Sequence, residues 1–124
     1  MISNDDYIKK VFQQILDSHN IIQNLKDESG DLDIIKMELL KINGFFNVLV
    51  KKIGTENFES HDLLELKPKA KNFVENYYFV QEIDRMSLLY ADDPDRLKHM
   101  RLKILEAFQD KRLINIIEEL MEKL

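Results

Sequence analysis

The stretch 32–53, "LDIIKMELLKINGFFNVLVKKI", decides the fold. Within it Leu32, Ile35, Leu39, Ile42, Phe46, Leu49 and Ile53 recur at alternating steps of three and four over three heptads. Side chains so spaced share one face of an α-helix, and a seam this regular packs against near-parallel or antiparallel neighbours at about 20°. Asp31 stands before the seam as a cap and Gly54 after it as a stop, so the pattern predicts a helix over 31–53. The same stretch holds more apolar side chains than one seam uses. Ile34, Met37, Phe45 and Val48 form a second stripe roughly 100° or more around the helix.

Working outward, residues 4–26 carry Ile8, Val11, Phe12, Ile15, His19 and Ile22 in the same three-four rhythm, with Ser3 or Asn4 as cap. "DESGDLD" (27–33) reads as the turn between the two helices, broken by Gly30. A short helical piece is expected at 60–66, capped by Ser60, before a helix over 68–91 with Pro68 in its first turn. On that helix Tyr78 and Leu89 share one face, with Val74 near it. The last segment, 94–124, starts with Asp93 as cap and Pro94 at the first helical position. At ~1.5 Å per residue it would be roughly 46 Å long, against about 35 Å for the first two helices. It must overhang the others or break near 109–112, where no apolar residue falls. The expectation is one all-α domain over 1–124, an antiparallel four-helix bundle.

Composition narrows the chemistry. The 124 residues include 44% hydrophobic and 33% charged side chains, 3 Gly, 2 Pro and no Cys, the profile of a folded protein built from long helices. Without cysteine there is no disulfide framework, thiolate zinc site or thiol nucleophile. The polar N-terminus has no apolar core of a signal peptide, and no apolar run reaches the roughly 18 residues a membrane span needs. These features fit a cytoplasmic setting. The abundance of Ile, Lys and Asn matches an AT-rich bacterial or phage gene.

Site motifs are sparse. The residues three before His19, His61 and His99 are Leu16, Phe58 and Arg96, so the Glu-x-x-His motif of di-iron bundles is absent. His61 and Glu65 share a helical face, but two ligands do not make a metal site. Taking Gly30 as the EF-hand glycine would put Leu25 at the first ligand position, so Asp27, Glu28, Asp31 and Asp33 read as turn and cap residues. Neither Gly44 nor Gly54 begins a phosphate loop. No cofactor or metal is expected, and no catalytic residue is assigned. His19, in the middle of an apolar stripe, reads as a core histidine hydrogen-bonded to a neighbour.

Three functional readings remain. The first is a non-enzymatic protein-interaction module (an adaptor, inhibitor, immunity factor or chaperone-like partner). It would bind another protein, or a second copy of itself, through Ile34, Met37, Phe45, Val48, Val74, Tyr78 and Leu89. The second is a nucleic-acid-associated regulator using 96–112, where six Lys or Arg face two Asp or Glu. That is a local +4 in a chain of net charge -5, leaving -9 elsewhere, and the overall charge opposes it. Its patch would be Arg96, Lys98, Arg101, Lys103, Lys111 and Arg112. On this helix His99, Lys103, Glu106 and Asp110 share a face that reads as solvated ion pairs, with Arg101 and Arg112 at the edge of the apolar stripe. The third is a small enzyme with a polar site around His19, Asn76 and Asp84.

Overall fold

A computed structural model describes residues 4–52, 61–77, 79–90, 92–110 and 112–123, the side chains of 4, 5 and 61–63 excepted. All regular structure in them is helical: α1 (Asn4–Asn24), α2 (Asp31–Lys52), α3 (His61–Asn76), α4 (Phe79–Ser87), α5 (Pro94–Asp110) and α6 (Leu113–Lys123). None is long and apolar enough to cross a membrane. The expected caps at Ser3, Ser60 and Gly54 lie outside the described residues, as do Ile53 of the seam and the side chain of the expected cap Asn4.

The seam of α2 is the axis of the molecule. Leu32, Ile35, Leu39, Ile42, Phe46 and Leu49 are each at most 2% exposed. α2 packs against α1, α3, α4 and α5, while α6 lies against α1, α3 and α5. The short connection 25–30 makes α1 and α2 antiparallel neighbours. Gly30 sits there at φ 91, and the Asp31 carboxylate accepts from the Glu28 backbone N–H at 2.8 Å. Asp31 thus closes the turn behind it rather than capping the free amides ahead. Asp93 does cap its helix: Oδ1 accepts from the N–H groups of Asp95 and Arg96 at 3.0 and 3.2 Å, with Pro94 at the first helical position.

Two expectations about the third helix are corrected. Pro68 does not begin it; α3 already runs from His61 and carries Pro68 inside. An interior proline removes one backbone hydrogen bond and costs about 3 kcal/mol relative to alanine. It is tolerated on the solvent side, because Leu66, Ala70 and Phe73 carry the buried face. Nor does the helix continue to 91. It ends at Asn76, and α4 restarts at Phe79. In an unbroken helix Phe79 would point roughly 120° away from Phe73. The break turns both inward, 1% and 4% exposed, with ring centroids 6.3 Å apart. Aromatic burial outweighs helix continuity here.

The long last segment breaks where its length required. α5 ends at Asp110 and Arg112, at φ 53, turns the chain into α6. Arg112 N–H donates to Gln109 O at 3.0 Å, and Ile116 N–H to Arg112 O at 3.0 Å, so both sides of the break are hydrogen-bonded. The four-helix expectation therefore gives way to shorter segments, the third and fourth helices each being divided.

All these helices meet in one apolar cluster. Its centre is Phe73 of α3, stacked on Phe108 of α5 at 4.7 Å and edge-on to Phe46 of α2 at 5.4 Å. Such ring pairs add about 0.5–1.5 kcal/mol each beyond the area they bury.

Candidate functional site

The second stripe of α2 divides into two parts. Phe45 and Val48 are half-buried and packed against the core, and Ile34 is also half-buried. Met37 is 51% exposed, and Leu40 beside it, which the sequence reading did not single out, is 52% exposed. Val74 is half-buried against the core on α3, and Tyr78 lies outside the described residues. Leu89 does not share a helix face with Val74, because α4 has already ended. It lies in the turn between α4 and α5 and is 78% exposed, next to Leu88 at 82%.

That turn is a built structure. Ser87 Oγ donates to Asp84 O, and Leu88, Leu89 and Tyr90 donate backbone N–H groups to Arg85, Met86 and Met86 respectively. Two links tie it to the α1–α2 connection and to α2. Ser29 Oγ donates to Asp92 Oδ1 at 2.8 Å, and Lys36 Nζ lies 2.6 Å from Asp84 Oδ1. The leucine pair is therefore held out to solvent by a hydrogen-bonded frame. Beside it is a groove of about 420 Å³ lined by Arg85, Met86, Tyr90, Arg96, His99, Met100 and Lys103. Met86, Met100 and Tyr90 give the lining its apolar part, and Arg85, Arg96 and Lys103 its cationic part. The Arg96 guanidinium lies over the Tyr90 ring, 3.6 Å from the centroid, a cation–π contact.

The basic segment 96–112 does not present its charges as one face. Arg101 Nε and Nη2 donate to Asp27 Oδ1 and Oδ2 at 2.9 and 3.2 Å, and Nη1 donates to Gln23 O at 3.3 Å. Its head is thus turned inward, not out to water. Lys103 Nζ donates to both oxygens of Glu82 on α4 at 3.3 and 3.0 Å, so its pair lies across helices rather than along α5. Arg96 joins Tyr90 and approaches Asp93 at 3.9 Å. Arg112 is exposed and near Glu119 at 3.5 Å. Lys98 is exposed, and Lys111 lies outside the described residues.

Of the three polar residues offered for an enzyme site, Asn76 is exposed and donates to Asn72 O at 3.2 Å, and exposed Asp84 pairs with Lys36. Both belong to the solvated edge. His19 is half-buried, its ring edge-on to Phe108 at 5.3 Å, and burial lowers its pKa below the ordinary imidazole value. Gln23, Gln109 and Asn115 share the polar groove beside it. Among the described residues no group of three or more His, Asp or Glu is placed to hold a metal ion.

No family model matches the chain, and no curated protein or solved structure matches it significantly.

Proposed function

We propose that the chain is a non-enzymatic protein-interaction module of the cytoplasm, an adaptor or inhibitor that takes an apolar segment of another protein into the groove beside Tyr90. The observation that carries this reading is the Leu88–Leu89 pair, 82% and 78% exposed at a braced turn adjoining that groove. Two adjacent leucines in water are a cost that a monomer has no reason to keep on a hydrogen-bonded turn. The methionines of its lining adapt to the shape of an apolar ligand, and an aromatic–arginine pair is the usual kind of anchor. The groove is of the size that small binding sites have. Its arginines Arg85 and Arg96 would favour a segment with acidic residues flanking its apolar ones.

The nucleic-acid reading draws less support, since Arg101 and Lys103 are engaged within the chain. The test is to capture partners from an extract of the source cells, identify them, and measure the purified complex. Leu88→Asp with Leu89→Asp should abolish binding while the circular dichroism spectrum stays that of the parent. Arg96→Glu should weaken it about tenfold or more. A partner that binds the leucine double variant as tightly as the parent would sink the proposal.

A further inference from the structure

We infer that α2 pairs with α2 of a second copy of the chain, antiparallel, about a two-fold axis level with Ile42. The helix carries a second heptad-like row on the face opposite its core seam. Asp33, Met37, Leu40, Gly44, Asn47 and Lys51 follow one another at steps of four, three, four, three and four, and every one is exposed. The row is symmetric about its own middle. An antiparallel copy in register therefore sets Leu40 against the partner's Gly44, Met37 against the partner's Asn47, and Asp33 against the partner's Lys51. Each contact occurs twice, as an isologous interface requires.

Three observations converge on this occupant and this register. The first is Gly44 itself. Glycine in a helix interior weakens the helix relative to alanine. Within the chain a Cβ at 44 would meet nothing inside 4 Å, so no internal contact requires its absence. A helix crossing close to Gly44 does require it, and Leu40 of the second copy supplies the side chain that fills the gap. The second is charge. α2 has Asp31 and Asp33 in its first turn and Lys51 and Lys52 in its last. Antiparallel pairing joins opposite ends, whereas parallel pairing would stack like on like. Sliding the copies by one heptad would set Leu40 against Met37 and Asp33 over Gly44, losing both matches. The third is apolar surface: Leu40, 52% exposed, flanks the centre of the row, and Met37, 51% exposed, is next to it. Exposed Asp–Lys pairs add little affinity but select orientation, while the leucine–glycine fit allows close helix approach. This face is separate from the groove beside Tyr90, so either inference can fail without the other.

Sedimentation velocity of the purified chain from low micromolar to submillimolar concentration tests it. The parent should shift reversibly from monomer to dimer. Leu40→Glu should weaken the dimer about a hundredfold, and Gly44→Leu about tenfold or more, although Gly44→Leu should raise the melting temperature of the monomer. Asp33→Lys should weaken association, and adding Lys51→Asp to it should restore the parent constant. Retention of the parent's helical spectrum shows that each variant still folds. A parent that stays monomeric throughout overturns the inference. So does a dimer indifferent to Leu40→Glu and Gly44→Leu, or a charge-reversed pair no tighter than Asp33→Lys alone. A monomeric parent that still captures a partner through Leu88 and Leu89 would overturn this inference and leave the proposed function standing.

Discussion

Arg101 grips Asp27 with two parallel hydrogen bonds, Nε to Oδ1 at 2.9 Å and Nη2 to Oδ2 at 3.2 Å, across 74 positions of sequence. Both side chains are largely shielded, 13% and 14% exposed. Asp27 is held at φ 62, a left-handed conformation that only a few residue types other than glycine adopt readily. The pair therefore fastens the α1–α2 turn onto α5. The Asp27 hydrogen bond raises the pKa of Arg101 from its ordinary value.

Breaking this pair should cost more than breaking any exposed one. Arg101→Ala or Asp27→Ala should each destabilise by about 2–3 kcal/mol, because each strands a shielded charge. A double-mutant cycle in urea should return a coupling of about 1–3 kcal/mol, against less than about 1 kcal/mol for exposed Lys36–Asp84. Equal couplings for the two pairs would show that the Arg101 geometry carries no special weight.

Backbone conformation gives opposite signs at two turns. Gly30 lies at φ 91 and Arg112 at φ 53. Gly30→Ala should destabilise by about 1–2 kcal/mol, since a Cβ there crowds the following carbonyl. Arg112→Gly should be neutral or stabilise by up to about 1 kcal/mol, because relief of the left-handed arginine outweighs the exposed contact with Glu119. Thermal melts should place Gly30→Ala below the parent and Arg112→Gly at or above it.

Acid should weaken the fold through His19. Burial lowers its folded pKa beneath the unfolded value of about 6.5, so the unfolded chain binds the extra proton first. The neutral ring's contribution is fully present above that value. It is lost as pH falls through the window down to the folded pKa, below which the loss is complete. Asp17 and Glu118 line the groove next to the ring. Urea midpoints measured between pH 7.5 and about 5 should fall less for His19→Gln than for the parent. Parallel curves would remove His19 as the cause.

Glu38 is a buried carboxylate of α2 that its surroundings satisfy only in part. Its side chain is 4% exposed; Oε1 accepts from Lys41 Nζ at 3.1 Å, while among the described residues Oε2 finds no hydrogen-bond partner. Replacing such a carboxylate by an apolar side chain of similar length removes the desolvation penalty, so Glu38→Met should stabilise by about 1 kcal/mol or more. Lys41→Ala should destabilise by a comparable amount. If Glu38→Met instead lowers the melting temperature, the carboxylate has a role that packing does not explain.

Local rules made some features readable in advance. The α2 seam, the Asp93–Pro94 helix start and the break between α5 and α6 follow from spacing, cap chemistry and segment length, all of which act within a few turns of chain. Pro68 misled because a local preference for first turns yielded to burial of Leu66, Ala70 and Phe73 around it. The division between Asn76 and Phe79 could not be read either, because it depends on Phe79 reaching Phe73, whose packing partners on α2 and α5 are distant in sequence. The candidate surfaces divided for the same reason. Phe45, Val48 and Val74 matched a partner-binding pattern, yet they lie half-buried against their own core, while Leu88 and Leu40 carried no pattern and stand in solvent.

By itself, then, the order of residues determined that this protein is all-helical, where its central helix lies, and which face of that helix is core. Hydrophobic spacing and capping are short-range, and they are the same in any tertiary setting. Only the tertiary structure decided where helices three and four divide, that Arg101 serves Asp27 instead of a ligand, and which leucines reach water. Those outcomes depend on which distant groups arrive beside one another, and on the cost of leaving a charge or a ring unmatched once they do.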